Sequence, residues 1–399
     1  MFRIPALAAL CASILLAGCG GADPPAAPTA TTATRNETII VPAGKPLAIG
    51  LSAALSGEQM NLGIDLVAAA ELAVGRFGGS VLGHAIELTP RDDGCTDPEK
   101  AVDVAALFIA DASLAGVIGP MCTLGAQAAN TRYEAAGVIH ISPSATRIDL
   151  SEQDEQFFFR TVWRDDVQAG VQATYAREQL AAATAIVLGD GEPYGNALAK
   201  EFAAQFESAG GRVISELRIE RGTADLTPLA RQIVEANPDV VVFEGLNPEG
   251  ALLVKALREV EYDGYFIGPD GLLSARDFLI TAGAAAEGAI LTGGASPDAE
   301  FVAVYQALYE RPPTTPFVLQ AHDAVTALLK AVETAATVDA DGSLRIDRAT
   351  LATTLREQRF AGLTGSITFD EKGDRRGETP SELGIVVYRV ENGAFRAVE

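Results

Sequence analysis

Short apolar, β-rich runs alternate along the chain with longer stretches whose apolar residues recur every three or four positions. In the first half, the runs predict strands at 47–55, 86–91, 114–118 and 138–142. The stretches between them predict helices at 65–77, 97–110 and 125–134, the second with Pro98 in its first turn. This alternation is typical of parallel sheets covered by helices.

A second cycle of the same kind begins after residues 157–161. Its predicted strands span 185–188, 212–219, 240–244 and 265–267. Its predicted helices span 196–209, 226–236 and 250–259. Beyond the N-terminal region about 350 residues remain, which is too long for one core, so the pattern predicts two successive α/β lobes.

The chain begins with an apolar stretch, residues 4–17, that is too short to cross a bilayer and ends in Leu16-Ala17-Gly18-Cys19. This ending predicts a lipoprotein signal peptide, 1–18, with a lipid on Cys19; an ordinary secretion signal is the alternative. Residues 20–34 are mostly Gly, Ala, Pro and Thr. We therefore expect a flexible tether over 19–46 and a folded part that starts near Leu47.

The formal charge of the chain is −23. So acidic a surface repels phosphate backbones and anionic lipid head groups, which argues against nucleic acid as a partner and leaves the lipid as the only membrane contact. The same charge also suits a protein that simply has to stay soluble after export. Neighbouring carboxylates such as Asp92-Asp93 and Asp165-Asp166 are interpreted as solvated surface.

Two cysteines, Cys95 and Cys122, remain once Cys11 leaves with the signal and Cys19 carries the lipid. Export to an oxidising compartment favours a disulfide between them. A metal site is the competing interpretation, but two thiols need further ligands and none of the three histidines lies near either cysteine in sequence.

The predicted strands end in turns rich in Gly, Pro and hydroxyl residues, where open parallel sheets bind ligands. The first-lobe candidates are Ser56, Thr123, Ser144, Ala145 and Thr146, and the second-lobe candidates are Tyr194, Leu246 and Asp270. Hydroxyls and N–H groups at helix starts suit a carboxylate, whereas carboxylates and an aromatic suit a cation. Alternatively, Ser144 and Thr146 are ordinary helix caps, Asp270 belongs to an ordinary turn, and Tyr194 is a half-buried packing residue.

Evidence for catalysis or a cofactor is lacking in the sequence. The glycines from Gly189 to Gly195 follow a strand as a dinucleotide fingerprint would, but the third glycine comes one residue late. No nucleophile elbow and no Walker-type run occurs, and histidine is scarce. We expect neither an enzyme nor a cofactor or metal.

A set of motifs carries a resemblance over residues 47–399. They are Asp92-Asp-Gly-Cys-Thr-Asp-Pro98, Ile118-Gly-Pro-Met-Cys122, Ile141-Ser-Pro-Ser-Ala-Thr146, Tyr194-Gly195, Asn247-Pro-Glu249, Gly268-Pro-Asp-Gly271, Ala286-Glu-Gly288 and Phe369-Asp-Glu-Lys-Gly373. In this order they resemble the type I periplasmic binding proteins of branched-chain amino-acid ABC transporters, also called leucine/isoleucine/valine-binding proteins.

The resemblance implies two Rossmann-like lobes joined by three crossings, near 160–166, 285–291 and 369–379. Lobe 1 would hold 47–163 with 289–370, including helices at 301–309 and 320–336. Lobe 2 would hold 164–288 with 371–399.

The resemblance also implies how an amino acid is held. Thr123 and Thr146 would bind its carboxylate, and the Ser144 carbonyl and Asp270 its ammonium. Leu62 and Leu246 stand where leucine-type relatives often carry aromatics, and Asp270 is one methylene shorter than their Glu. The cysteines match a disulfide of the family.

These observations predict a lipid-anchored monomer at the outer face of the cytoplasmic membrane. It would bind an amino acid or similar small carboxylate by lobe closure and deliver it to an ABC permease. A ligand-sensing receptor subunit is the alternative function, and an exported enzyme is a third.

Overall fold

Two separate, largely parallel sheets organise the chain in a computed structural model that describes residues 37–153 and 155–398. The strands are β1 Thr38–Val41, β2 Leu47–Ala53, β3 Ser80–Val81, β4 His84–Asp92, β5 Leu114–Ile118, β6 His140–Ser142, β7 Phe158–Arg160, β8 Thr184–Gly189, β9 Arg212–Arg218, β10 Val240–Glu244, β11 Tyr265–Gly268, β12 Ile290–Gly294, β13 Thr337–Val338, β14 Leu344–Asp347, β15 Phe360–Gly362, β16 Gly365–Ile367, β17 Ile385–Glu391 and β18 Ala394–Ala397. The helices are α1 Met60–Arg76, α2 Pro98–Ile109, α3 Thr123–Ala136, α4 Asp165–Thr174, α5 Pro193–Ser208, α6 Thr227–Ala236, α7 Glu249–Glu259, α8 Ile280–Ala282, α9 Ala299–Tyr309, α10 Val318–Ala335 and α11 Arg348–Glu357.

The first lobe is built on a six-stranded sheet in the order β3-β4-β2-β5-β6-β7, parallel except for β3. Its central strand β2 is buried along its whole length because helices cover both faces, with α1 and α10 on one face and α2 and α3 on the other. Asp97 caps α2 by accepting from the Lys100 amide, and Pro98 opens the helix as predicted.

The second lobe is built on a seven-stranded sheet in the order β18-β17-β12-β11-β10-β8-β9. Strands β8, β9, β10, β11 and β12 run parallel to one another, and β17 and β18 add an antiparallel edge. Helices α6 and α7 pack on one face and α4 and α5 on the other. The prediction of two α/β lobes with parallel central sheets is thus confirmed.

A strand lies before Leu47, inside the segment 19–46 that is predicted to be a flexible tether. Strand β1 pairs antiparallel with β14, and its residues Ile39 and Val41 are fully buried in the first-lobe core. The β-branched run Thr38-Ile-Ile-Val41 favours a strand, but four residues are a weak signal in the sequence. The signal peptide, Cys19 and most of the proposed tether lie outside the described residues.

The boundary expected at residue 289 also differs from the structure. Strand β12 pairs with β11 and β17, so residues 290–294 belong to the second-lobe sheet. The chain returns to the first lobe only after Gly294, where α9 and α10 pack on α1. Two buried Gly residues at the end of β12 make this strand a weak sequence signal.

Helix α1 starts five residues earlier than the predicted start at 65. The sequence signal is weakened by Gly63, which lies inside the helix. A Cβ at Gly63 would stand 1.8 Å from the carbonyl oxygen of Ala54. This glycine therefore lets the helix pass directly over the end of β2.

Arg160 ties the first and third crossings to a first-lobe turn. Its fully buried guanidinium pairs with Asp374 and donates to the carbonyls of Ala145 and Arg147 at 3.3 and 2.7 Å. Its backbone amide donates to the Gly373 carbonyl at 2.9 Å. The turn at 145–147 is therefore fixed to the connections between the lobes.

Candidate ligand-binding site

A cleft of about 700 Å³, including its open mouth, lies between the carboxyl ends of the two sheets. The first lobe contributes Gln59, Leu62, Cys95, Thr96, Met121, Cys122, Thr123, Leu124, Ser144, Thr315, Pro316 and Phe317. The second lobe contributes Glu192, Pro193, Tyr194, Leu246, Asn247, Asp270, Gly271, Ser274 and Asp277. Six of the predicted ligand residues are among them: Leu62, Thr123, Ser144, Tyr194, Leu246 and Asp270.

The first-lobe wall carries the start of α3. Cys122 precedes the helix without a side-chain cap, and the Thr123 hydroxyl is buried without a hydrogen-bond partner. The amides of the first helical turn and the Thr123 Oγ1 therefore face the cleft as available polar groups. The positive end of the helix dipole adds to an environment that suits an anion.

The second-lobe wall carries Asp270, which follows β11 and is 4 % exposed. The Tyr194 hydroxyl donates to its Oδ1 at 2.8 Å. Burial raises the pKa of Asp270 to about 6, although the Gln168 and Tyr194 side chains counteract this. No lysine, arginine or histidine lines the cleft among the described residues.

Two further carboxyls lie close to Asp270 without lining the cleft. Asp165 opens α4 and Glu244 ends β10, and both are fully buried. Burial raises the pKa of Asp165 to about 7 and that of Glu244 well above its usual range, and the charge of Asp270 adds to both shifts. The interpretation of Asp165 as solvated surface is therefore wrong, and so is that of Asp93, which is buried against Ser52.

The remaining lining residues form an apolar wall with a few polar groups. Leu62 and Leu246 come from opposite lobes. Cys95 and Cys122 are joined in a disulfide, as expected, and this disulfide forms part of the wall. Ser144 lines the cleft, but its hydroxyl donates to the Met121 carbonyl at 2.7 Å, so it supports the turn.

Three predicted residues do not line the cleft. Ser56 is exposed, and its hydroxyl bonds with Asp92 at 2.6 Å. Ala145 is buried, with its carbonyl held by Arg160. Thr146 is fully buried beside Asp165, and its carbonyl accepts from the Asp165 amide at 3.0 Å.

Sequence reasoning missed the residues that connect the lobes across the cleft. Gln59 Nε2 donates to the Asn247 carbonyl at 3.2 Å, and Asn61 Nδ2 donates to Asp277 Oδ1 at 2.8 Å. Glu58 forms an ion pair with Arg221 of the second lobe. These first-lobe residues lie at the start of α1, where no sequence signal of ligand chemistry marks them.

The described residues contain no group of three or more His, Cys, Asp or Glu side chains placed to hold a metal ion. In the same part of the chain, no helix has the length and apolar character needed to span a membrane.

Comparison with known proteins identifies the family of this two-lobed chain. The model of a family described as periplasmic binding protein matches residues 46–394. The chain belongs to this family. Its members are solute-binding proteins that work outside the cytoplasm, not enzymes, so the predicted absence of an enzymatic role and the predicted family are both confirmed.

Individual relatives agree in length as well as in fold. The leucine-, isoleucine-, valine-, threonine- and alanine-binding protein of Pseudomonas aeruginosa is 31% identical over 338 residues, which cover 83% of this chain and 88% of that protein. The leucine-binding protein LivK of Thermotoga maritima has a TM-score of 0.79 at 25% identity, covering 88% of this chain and 98% of LivK. An ABC-transporter solute-binding protein of Rhodopseudomonas palustris, in complex with 3,4-dihydroxybenzoic acid, has a TM-score of 0.75 at 22% identity, covering 88% and 95%.

Proposed function

We propose that this protein captures an amino acid with an apolar side chain outside the cytoplasmic membrane and delivers it to an ABC permease. One observation carries the proposal: the uncapped start of α3 with Thr123 and the Asp270–Tyr194 pair line the same cleft from opposite lobes. The two ends of a zwitterion match these two walls. The relatives named for leucine, isoleucine and valine support this choice of ligand.

In this proposal the α-carboxylate lies at the start of α3, where Thr123 Oγ1 and the first-turn amides donate to it. The ammonium lies against Asp270, and the side chain lies between Leu62 and Leu246. Closing of the lobes removes water from the charged contacts, which strengthens them. The closed form is then the form that the permease recognises.

Titration calorimetry with leucine, isoleucine and valine tests this function, with Asp270→Asn as the decisive variant. Breaking a buried charge pair is expected to weaken binding by about 2–4 kcal/mol. Asp263→Asn is the matched control, because Asp263 precedes the same strand, β11, and is exposed outside the cleft. Equal affinity of wild type and Asp270→Asn would show that no ammonium lies at Asp270.

We also propose that Cys19 carries a lipid, because it follows the Leu16-Ala-Gly18 ending of the apolar stretch. Cells labelled with radioactive palmitate are expected to yield labelled wild type and unlabelled Cys19→Ser protein, with the wild type in the membrane fraction. Labelling of Cys19→Ser, or wild type that is entirely soluble after export, would contradict the anchor.

A further inference from the structure

Asp165, Glu244 and Asp270 form one group of buried carboxyls, here named the carboxyl cluster. They come from the start of α4 and the ends of β10 and β11, and their exposures are 0, 0 and 4 %. Only Asp270 lines the cleft, and the Tyr194 ring and hydroxyl pack beside it. The negative charge of Asp270 raises the pKa of each of the other two carboxyls. A positive charge placed at Asp270 would therefore be attracted by all three.

Within the described chain, few hydrogen-bond donors stabilise the carboxyl oxygens of the cluster. Neither oxygen of Asp165 or of Glu244 has a hydrogen-bond partner. The Thr146 hydroxyl lies beside Asp165 and the Gln172 amide beside Glu244, without good hydrogen-bond geometry. Both amide hydrogens of Gln172 are directed elsewhere, to the Gly268 carbonyl at 3.4 Å and to Thr292 Oγ1 at 3.1 Å.

The nearby basic groups are engaged with other acids. Arg160 attracts Asp165, but its guanidinium pairs with Asp374. Arg221 faces Asp190 and pairs with Glu58.

The other charged groups facing the cluster are acidic. Asp190 faces Glu244, and Asp166 faces Asp165. The wall of the cleft itself supplies no basic side chain among the described residues. Buried carboxyls without cations are costly to ionise, so a positive charge beside the cluster would stabilise its ionised form.

We propose that Glu244 and Asp165, acting behind Asp270, make a primary ammonium group the required feature of the ligand, so that the cleft accepts cationic and zwitterionic amines and rejects carboxylates without an amine. This inference rests on the proposed function and narrows its ligand class. It separates this chain from the relative that binds 3,4-dihydroxybenzoic acid, a carboxylate without an amine.

Protons take the place of the ammonium while the cleft is empty. Burial raises the pKa of Asp270 to about 6 and that of Asp165 to about 7, and burial together with the charge of Asp270 raises the pKa of Glu244 well above its usual range, so the cluster holds protons near neutral pH. An arriving ammonium lowers these pKa values and drives protons into solution. Affinity for an amine therefore rises with pH between about 6 and 8, as long as the amine stays protonated.

Three probes distinguish the contribution of the ligand's ammonium to binding from that of its carboxylate. Leucine carries both charges, leucinamide keeps only the ammonium, and 4-methylpentanoate keeps only the carboxylate. Calorimetric titration at pH 7 of protein purified after expression of the full chain is expected to show leucinamide binding at least about tenfold more tightly than 4-methylpentanoate. Binding of 4-methylpentanoate as tight as that of leucinamide would overturn the inference.

The variant Glu244→Gln keeps the shape of the side chain and removes its charge. At pH 7 it is expected to weaken leucine and leucinamide about tenfold and to leave 4-methylpentanoate no weaker. Glu155→Gln is the matched control, since Glu155 is a buried first-lobe carboxyl outside the cleft whose pKa is also raised to about 7. It is expected to leave the ratio of the probes unchanged.

Two outcomes separate this inference from the proposed function. If Glu244→Gln weakens all three probes equally, Glu244 is structural and the inference is wrong. If leucinamide binds and leucine does not, the amine requirement stands and the amino-acid function is wrong.

Discussion

At the scale of single residues, burial rather than residue type separates the carboxyls of this protein. Asp165 and Asp166 are neighbours, yet Asp165 is fully buried, whereas the side chain of Asp166 is 38% exposed and pairs with Arg164. The sequence presents the two as one acidic pair. Which of them enters the interior depends on the direction of α4 against the second sheet, a long-range property that no local pattern carries.

Asp165→Asn is expected to change stability in a pH-dependent way. The pKa of Asp165 is about 7 in the folded protein against 3.8 for the unperturbed group. Because the folded pKa is raised, the carboxyl's contribution to stability is present below pH 4 and is lost as pH rises to 7, by up to about 4 kcal/mol. In urea unfolding without ligand, Asp165→Asn should therefore exceed wild type at pH 8 and match it near pH 4.

The neighbouring Asp166→Asn is the control and should produce no such gain at pH 8. If Asp165→Asn changed the free energy of unfolding by the same amount at both pH values, the proposed burial of an ionisable carboxyl would be contradicted.

Gly63 is a residue whose role is set by one close contact. Substitution to Ala normally favours a helix, but here the new Cβ would stand 1.8 Å from the Ala54 carbonyl oxygen. Gly63→Ala is therefore expected to destabilise the protein by at least about 2 kcal/mol in denaturant unfolding. Gly75→Ala in the same helix, where no atom lies within 4 Å of the new Cβ, should be neutral or stabilising. Equal effects at both positions would contradict the close passage of α1 over β2.

At the scale of elements, α1 organises the edge of the cleft. Its first turns bear Asn61, which bonds to Asp277 of the second lobe, and Asp65, which is fully buried. Asp65 Oδ2 accepts from the amides of Thr314 and Thr315 at 2.8 and 3.1 Å, and thereby holds the loop that precedes Phe317. The Thr314 carbonyl accepts from the Ala275 amide across the cleft at 3.0 Å. The helix and the loop therefore meet the second lobe together.

Asn61→Ala removes one of these contacts across the cleft and is expected to speed ligand release by about three- to tenfold while leaving the association rate nearly unchanged. Trp163, the only tryptophan of the chain, offers the signal: it lies at the first crossing and packs on Phe317, with 5.6 Å between ring centroids. Stopped-flow fluorescence measures both rates. Met60→Ala, at an exposed neighbouring position, is the control. An unchanged release rate in Asn61→Ala would show that this bond does not hold the lobes together.

Elements with strong local signals were predictable, and elements that depend on distant partners were not. The Asp97-Pro98 start of α2 and the strand at β10 follow from capping and β-branched runs. Strand β1 is only four residues long and gains its place by pairing with β14, about 300 residues away in the chain.

The candidate site divides in the same way. Thr123 and Tyr194 lie in the first turns of α3 and α5, and Asp270 follows β11, so all three come shortly after strands and the turn pattern finds them. Gln59, Asp277 and Phe317 reach the cleft from the residue before α1, a π-helical turn at Ala275–Leu279 and the residue before α10, where the sequence carries no comparable signal.

At the scale of the whole molecule, two covered sheets meet through three crossings around one cleft. The first and third crossings are connected to each other and to the first-lobe turn at 145–147 by Arg160 and Asp374, so a movement of one lobe reaches this turn. The family membership and the two-lobed fold are shown by the comparisons.

The most direct measurement is a crystal structure of the protein grown with leucine, isoleucine or valine, whichever binds most tightly in calorimetry. The proposal predicts the amino acid between the lobes, with its carboxylate within hydrogen-bond distance of Thr123 at the start of α3 and its ammonium within hydrogen-bond distance of Asp270. An amino acid bound outside the cleft, or bound inside it with neither Thr123 nor Asp270 in contact, would contradict the proposal.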